Sequence, residues 1–184
     1  MIIQMPSRLS SRRMTRRAAT RWLASGTLCL LLPACGSLPQ PRKERADLHV
    51  RIKSGEGTNP DDKGRPAPVM VRIYELKSAT AFENADFFTL HNDSRKVLGE
   101  DALAMDEFIL RPGDTRDIRR RANPATVAIG VLAAYRELGK SVWRAVYQAP
   151  PVPEEGWYRA VMPRTKVRLN VDIGQQAILV TELD

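Results

Sequence analysis

The chain has 184 residues, with 29 Lys and Arg against 21 Asp and Glu, and a formal net charge of +8. Most of that excess sits at the amino end: residues 1–34 hold six arginines and no acid, so the remaining 150 residues carry 23 basic and 21 acidic groups, a net +2. A nucleic-acid-binding surface is therefore not implied, and with Cys29 and Cys35 the only cysteines there is no disulfide framework.

The amino end has the parts of a secretory signal, in order. Arg8, Arg12, Arg13, Arg16, Arg17 and Arg21 precede an apolar run from Trp22 to Leu32. That run is too short to persist as a spanning helix, which needs about 20 residues. Leu32-Pro33-Ala34-Cys35 then fits the pattern Leu-x-small-Cys, in which the thiol is lipidated before cleavage, although Pro33 is a less usual occupant of its position. Residues 1–34 are thus predicted to be a lipoprotein signal peptide, and Cys35 the lipid-bearing first residue of the mature protein. The competing readings are a plain signal with an incidental cysteine, or a buried apolar helix. Gly36, where an Asp would favour the inner membrane, points to an outer-membrane protein facing the periplasm. Translation could start at Met1, Met5 or Met14, and Ser11-Arg12-Arg13-Met14 also reads as a twin-arginine signal. Residues 35–46, with Pro39, Pro41 and no apolar period, are predicted to be a tether, and residues 47–184 one domain.

From Asp47 the pattern changes to period two, with Leu48, Val50 and Ile52 alternating with His49, Arg51 and Lys53. A polar loop, Ser54 to Ala67, leads to a second strand, Val69–Leu76. Its fourteen residues exceed a usual hairpin loop between neighbouring strands, and long loops on a rigid scaffold are where binding tends to reside. Ala79–Ala102, with Phe82, Phe87, Phe88, Leu90, Val97 and Leu98, suits one or two short helices stopped by Gly99. Strands follow at Ala104–Arg111 and Thr115–Arg121 around a Pro112-Gly113 turn, then at Val127–Tyr135, apolar on both faces, and at Ser141–Gln148. After a proline-rich excursion from Ala149 to Pro163 come Lys166–Ile173 and Gln176–Leu183. About eight one-sided strands and one helical insertion predict an all-β fold, a two-sheet antiparallel β-sandwich.

The residues point away from catalysis, metals and cofactors. His49 and His91 have no partner at ligand spacing, and no nucleophile elbow or phosphate-cradling glycine loop occurs. The acidic pairs Asp61-Asp62, Glu100-Asp101, Asp106-Glu107 and Glu154-Glu155 read as solvated faces. Arg119-Arg120-Arg121 could meet anionic lipid, but alternation favours Arg119 and Arg121 facing solvent on an edge strand, where charge discourages pairing. Trp143 reads as core, whereas Trp157, in the proline-rich excursion, could stack on a sugar ring. A lipid-anchored protein that binds cell-wall glycan is therefore a second possibility. A transthyretin-like periplasmic hydrolase ranks last for want of clustered histidines.

The order of features also resembles a family. The lipoprotein signal, the strand and long loop, Pro68 to Leu76, Phe82 with Asp86-Phe87-Phe88-Thr89-Leu90, Leu98-Gly99, Leu110 with Pro112-Gly113, Ala133 to Leu138 and Trp143-Arg144 are similar to the blocks of the type VI secretion outer-membrane lipoprotein family, TssJ. The resemblance implies a transthyretin-like sandwich and a non-enzymatic role with no small-molecule substrate. It further implies that the lipoprotein binds the periplasmic domain of the inner-membrane subunit TssM, partly through the loop between the first two strands. On this chain the contact residues implied are Gly57, Thr58, Asn59, Pro60, Asp61, Asp62, Lys63 and Gly64.

Overall fold

The structure, a computed structural model, describes residues 45–151 and 165–183. The signal segment, Cys35, the tether as far as residue 44, Glu154, Glu155 and Trp157 lie outside the described residues. The elements in chain order are β1 (Asp47–Ser54), β2 (Val69–Leu76), α1 (Thr80–Asn84), α2 (Phe87–Leu98), β3 (Ala102–Leu110), β4 (Thr115–Arg121), β5 (Ala128–Ala134), β6 (Arg144–Gln148), β7 (Lys166–Ile173) and β8 (Ile178–Glu182). Single 3₁₀ turns at Gly99–Asp101 and Leu138–Lys140 complete the set.

These strands make two sheets of four, ordered β4-β1-β7-β8 and β3-β2-β5-β6. The alternation read from the sequence decides which face each strand buries. Leu48, Val50 and Ile52 of β1 and Val167, Leu169, Val171 and Ile173 of β7 meet Val69, Val71 and Ile73 of β2 and Ile129, Val131 and Ala133 of β5 between the sheets. Ala46, assigned to the tether from sequence, is already buried in this core, and its carbonyl accepts from Ala122 N–H at 2.9 Å.

Two features differ from the expected pairing. First, β1 pairs antiparallel with β4 but parallel with β7, so the first sheet is mixed. A parallel pair needs a long crossover, and here the whole chain between β1 and β7 supplies it. Second, β1 and β2 are not neighbours but lie in opposite sheets. The Ser54–Ala67 segment is long because it crosses between layers about 10 Å apart rather than turning a hairpin.

In the second sheet β5 is buried on both faces, which explains its continuous apolar run. The outer face of this sheet carries α1 and α2, whose Phe82, Phe87, Leu90 and Leu98 pack on Tyr74, Leu76, Ala128 and Leu132. Asp86 caps α2, accepting from Thr89 N–H at 3.0 Å. The helix kinks at Asp93 and ends at Gly99, whose φ of 51° combined with a ψ of −126° suits only a residue without a side chain. Two arginines pin the helices to the sheet through carbonyls freed at helix ends and at the kink. Arg72 Nη1 donates to the Leu90 and His91 oxygens at 3.0 and 2.8 Å, and Arg144 Nη1 to those of Phe82 and Ala85, both at 2.8 Å.

Gly130 is required by the close approach of α1. A Cβ there would lie 3.0 Å from Leu76 Cδ1 and from the Phe82 ring. Gly130→Ala is expected to cost about 1–3 kcal/mol by overpacking, read as a lower denaturant midpoint with an unchanged slope. A midpoint equal to that of the wild type would show that the helix shifts freely.

Strand direction fixes two ends. Residue 45 enters the sandwich at the end that also holds the β4–β5 connection and the carboxyl end of β8. The β1–β2, β3–β4, β5–β6 and β7–β8 connections gather at the opposite, distal end. On one side the sheets are joined by a bridge between Val142 and Ala177. On the other side the edge strands β3 and β4 are joined by the Arg111–Asp114 turn and by side chains, Arg120 with Asp106 and Arg116 over Phe108.

Candidate functional site

The β1–β2 loop stands at the distal end, and its first half is folded from inside. Gly55 N–H donates to Ile173 O at 2.9 Å and Asn59 N–H to Gln175 O at 3.1 Å, so the loop rests on the β7–β8 turn. Thr58 is fully buried: its hydroxyl lies 2.8 Å from both the Gly55 and Ile173 carbonyl oxygens and accepts from Ser54 Oγ at 3.0 Å. Asn59 is also buried, with a φ of 51° that Asn tolerates better than most residues. Its Nδ2 donates to Pro68 O at 2.7 Å, and its Oδ1 accepts from Arg136 N–H at 2.8 Å.

Two of the eight contact residues expected from the sequence, Thr58 and Asn59, are buried, and their side chains are hydrogen-bonded within the chain. They hold the loop in place. Gly57 is half-buried against Gln175, because a Cβ there would fall 2.9 Å from Gln175 Nε2. Pro60 and Asp61 are half-buried, and Asp62, Lys63 and Gly64 are exposed.

The second half of the loop is organised by Asp61. Its Oδ1 accepts from the N–H groups of Lys63 and Arg65, both at 2.9 Å, and its Oδ2 pairs with the Arg65 guanidinium at 2.7 Å. Hydrogen bonds from the Arg65 side chain and backbone hold the Asp61 carboxyl below the usual carboxylate range. Short Asp-centred turns of this kind keep their shape without a core. The tip is thus a small closed turn presenting Asp62, Lys63 and Gly64, with the exposed Arg65 beside them. Around it lie Glu56, whose carboxylate abuts Gly113, and the exposed Arg111, Asp114, Arg136 and Gln175. Of these, Arg65 was legible: a cation four residues after Asp61 is a local pairing signal. Glu56, Arg136 and Gln175 carried no such signal, because only the tertiary arrangement brings their loops together.

The remaining candidates fall elsewhere. His49 lies on the outer face of β1, its Nε2 2.7 Å from Asp117 Oδ1. His91 stacks on Phe87 in α2. Among the described residues no group of three or more His, Cys, Asp and Glu side chains could hold a metal. Glu107 pairs with Arg72, and Trp143 is half-buried edge-on to Phe87, with ring centroids 5.3 Å apart. In the arginine triplet, Arg119 and Arg121 face outward on edge strand β4, and Arg120 turns inward to Glu75 and Asp106.

A family model described as "Type VI secretion lipoprotein, VasD, EvfM, TssJ" matches residues 46–176. Among solved structures, the chain is similar to the T6SS lipoprotein TssJ1 from Pseudomonas aeruginosa at 33% identity, over 77% of this chain and 98% of that one, with a TM-score of 0.66. It is similar to Serratia marcescens Lip, described as a membrane-bound component of the Type VI Secretion System, at 26% identity over 77% and 99%, also with a TM-score of 0.66. A chain in the structure described as the T6SS protein TssM C-terminal domain from EAEC is similar at 26% identity over 77% and 99%, with a TM-score of 0.53. Comparison with the curated proteins found no match.

Proposed function

Since the chain belongs to the type VI secretion lipoprotein family (VasD, EvfM, TssJ), we propose that lipid on Cys35 anchors it in the outer membrane, facing the periplasm, and that its β1–β2 loop binds the periplasmic domain of a TssM-like inner-membrane subunit. The family is one of membrane-bound secretion lipoproteins, and the role is a mechanical link without catalysis. A chain of this fold in a structure described as the TssM C-terminal domain supports the choice of partner. No helix among the described residues is long and apolar enough to cross a membrane.

The observation that carries the reading is polarity. The chain enters at one end of the sandwich, and a loop of fixed shape projects at the other. Strands of eight residues at about 3.3 Å each separate those ends by roughly 26 Å, so a protein moored by its amino end holds the loop away from the membrane. Because Thr58, Asn59 and Asp61 fix the backbone beforehand, little conformational entropy is lost when the tip docks. Charge at Asp62 and Lys63 would set register and encounter rate.

The test keeps the fold and changes only the exposed tip. The charge exchange Asp62→Lys with Lys63→Glu is expected to leave thermal unfolding unchanged and weaken capture of the TssM periplasmic domain at least about tenfold, or about 1.4 kcal/mol. Affinity equal to that of the wild type would remove the loop tip from the interface.

A further inference from the structure

The outer face of the first sheet carries an open groove of about 720 Å³ at the entry end, next to Asp47. Among the described residues it is lined by Arg51, Arg119, Arg121, Lys166 and Arg168, with Asp47 the one carboxylate. The register explains the clustering. Asp47 stands opposite Arg121 on one side and Lys166 on the other, and His49 opposite Arg119 and Arg168. Asp117, farther along β4, is already engaged by His49 and Arg51, whose hydrogen bonds keep its carboxyl below the usual range. Arg45, also exposed, lies at the same end.

Edge protection accounts for only part of this charge. Arg119 and Arg121 lie on β4, a true edge, where cations deter strand addition. Lys166 lies on β7, a strand paired on both sides that has no edge to guard, while Arg51 of β1 is already held by Asp117. A cluster of cations across three neighbouring strands raises mutual repulsion, and an anion in the groove relieves it.

We propose that this groove is a docking surface for the phosphate headgroups of anionic lipids in the leaflet that holds the anchor. The proposal rests on lipidation at Cys35. Nine residues, 36–44, separate that cysteine from Arg45 and reach at most about 32 Å, so the entry end stays within range of the headgroups. Leu183, exposed just beyond β8 and lining the groove, adds an apolar contact suited to a lipid surface. An acidic segment of a protein partner would match the charge equally, but the distal end, not this one, is the end turned toward the rest of the envelope. Headgroup contact would fix the sandwich's orientation and aim the loop.

The mature Cys35→Ser chain is mixed with vesicles of equal parts phosphatidylcholine and phosphatidylglycerol, or of phosphatidylcholine alone, and sedimented. Every described core residue lies within 46–178, so the unlipidated chain keeps its fold, checked by thermal unfolding. Binding is expected only to the anionic vesicles and is expected to fade with salt. Arg121→Ala with Lys166→Ala should lower partitioning about thirtyfold, roughly fivefold per charge. Equal binding to both vesicles overturns the proposal, as does displacement by inorganic phosphate at matched concentration, which would mark a free-anion site. Loss of TssM-domain capture by the same double variant with vesicle binding intact would assign the groove to a protein partner and also overturn it. Palmitate labelling of the wild-type chain reads the anchor separately, so failure of either idea is seen by itself.

Discussion

Cys35→Ser is expected to move the protein from the outer-membrane fraction to the soluble periplasm, or leave it missorted, and to abolish type VI secretion. Acyl chains contribute about 0.8 kcal/mol per buried methylene, and three of them make attachment effectively permanent. No contact of the sandwich among the described residues replaces that energy, and even a groove that holds headgroups would give only reversible binding. The domain itself should fold, since its core begins at Ala46. Its affinity for the TssM domain in solution should equal that of the wild type, while the effective concentration supplied by mooring is lost. Fractionation, palmitate labelling and a binding titration read the three effects. A Cys35→Ser protein that still resists extraction from the membrane would end the lipid-anchor account.

The second large effect is expected at Arg120. Glu75 is almost wholly buried between the sheets, accepting from Arg120 Nε at 2.6 Å, Asn123 N–H at 2.8 Å and Thr126 Oγ1 at 2.8 Å. Arg120 comes from β4 in one sheet, Glu75 from β2 in the other, and Asp106 of β3 takes a second arm of the guanidinium. Partial burial works against the charged Arg120, but its hydrogen bonds to Asp106 and Glu75 prevail and raise its pKa above the ordinary guanidinium value. Arg120→Ala leaves the Glu75 carboxylate buried without its counter-charge and removes the ion pair between β3 and β4. Fully buried pairs lose about 3–5 kcal/mol when one partner is removed. Arg120 keeps some solvent contact, so about 2–4 kcal/mol is expected, which for a domain of this size lowers Tm by roughly 6–12 °C. Glu75→Gln combined with Arg120→Met should recover most of that loss, because no uncompensated charge is then buried. A single variant as stable as the wild type would show that water already screens the pair.

The arginine triplet shows where pattern stops being informative. Period-two alternation correctly turned Arg119 and Arg121 outward. It could not show that Arg120 meets a carboxylate 45 residues away, because that carboxylate sits in an otherwise apolar strand, VMVRIYEL, with nothing to mark it as paired. The loop tells the same story. Its length and polarity singled it out. Yet Thr58 and Asn59 look as solvent-seeking as Asp62 and Lys63. What separates them is the presence of Ile173, Pro68 and Arg136 backbone groups within hydrogen-bonding distance.

By itself the sequence determined the strand faces, the helical insertion with its glycine stop, the family resemblance and the position of the long loop. All of these depend on local periodicity, turn chemistry or ordered motifs. Only the tertiary structure decided that β1 lies parallel to β7, that β1 and β2 belong to opposite sheets, that Thr58 and Asn59 of the loop are buried, and that cations from three strands line one groove. The physical reason is that side-chain direction is set by neighbours along the chain. Sheet partners, ion pairs and charged surfaces are set instead by residues that are close only after the layers have packed.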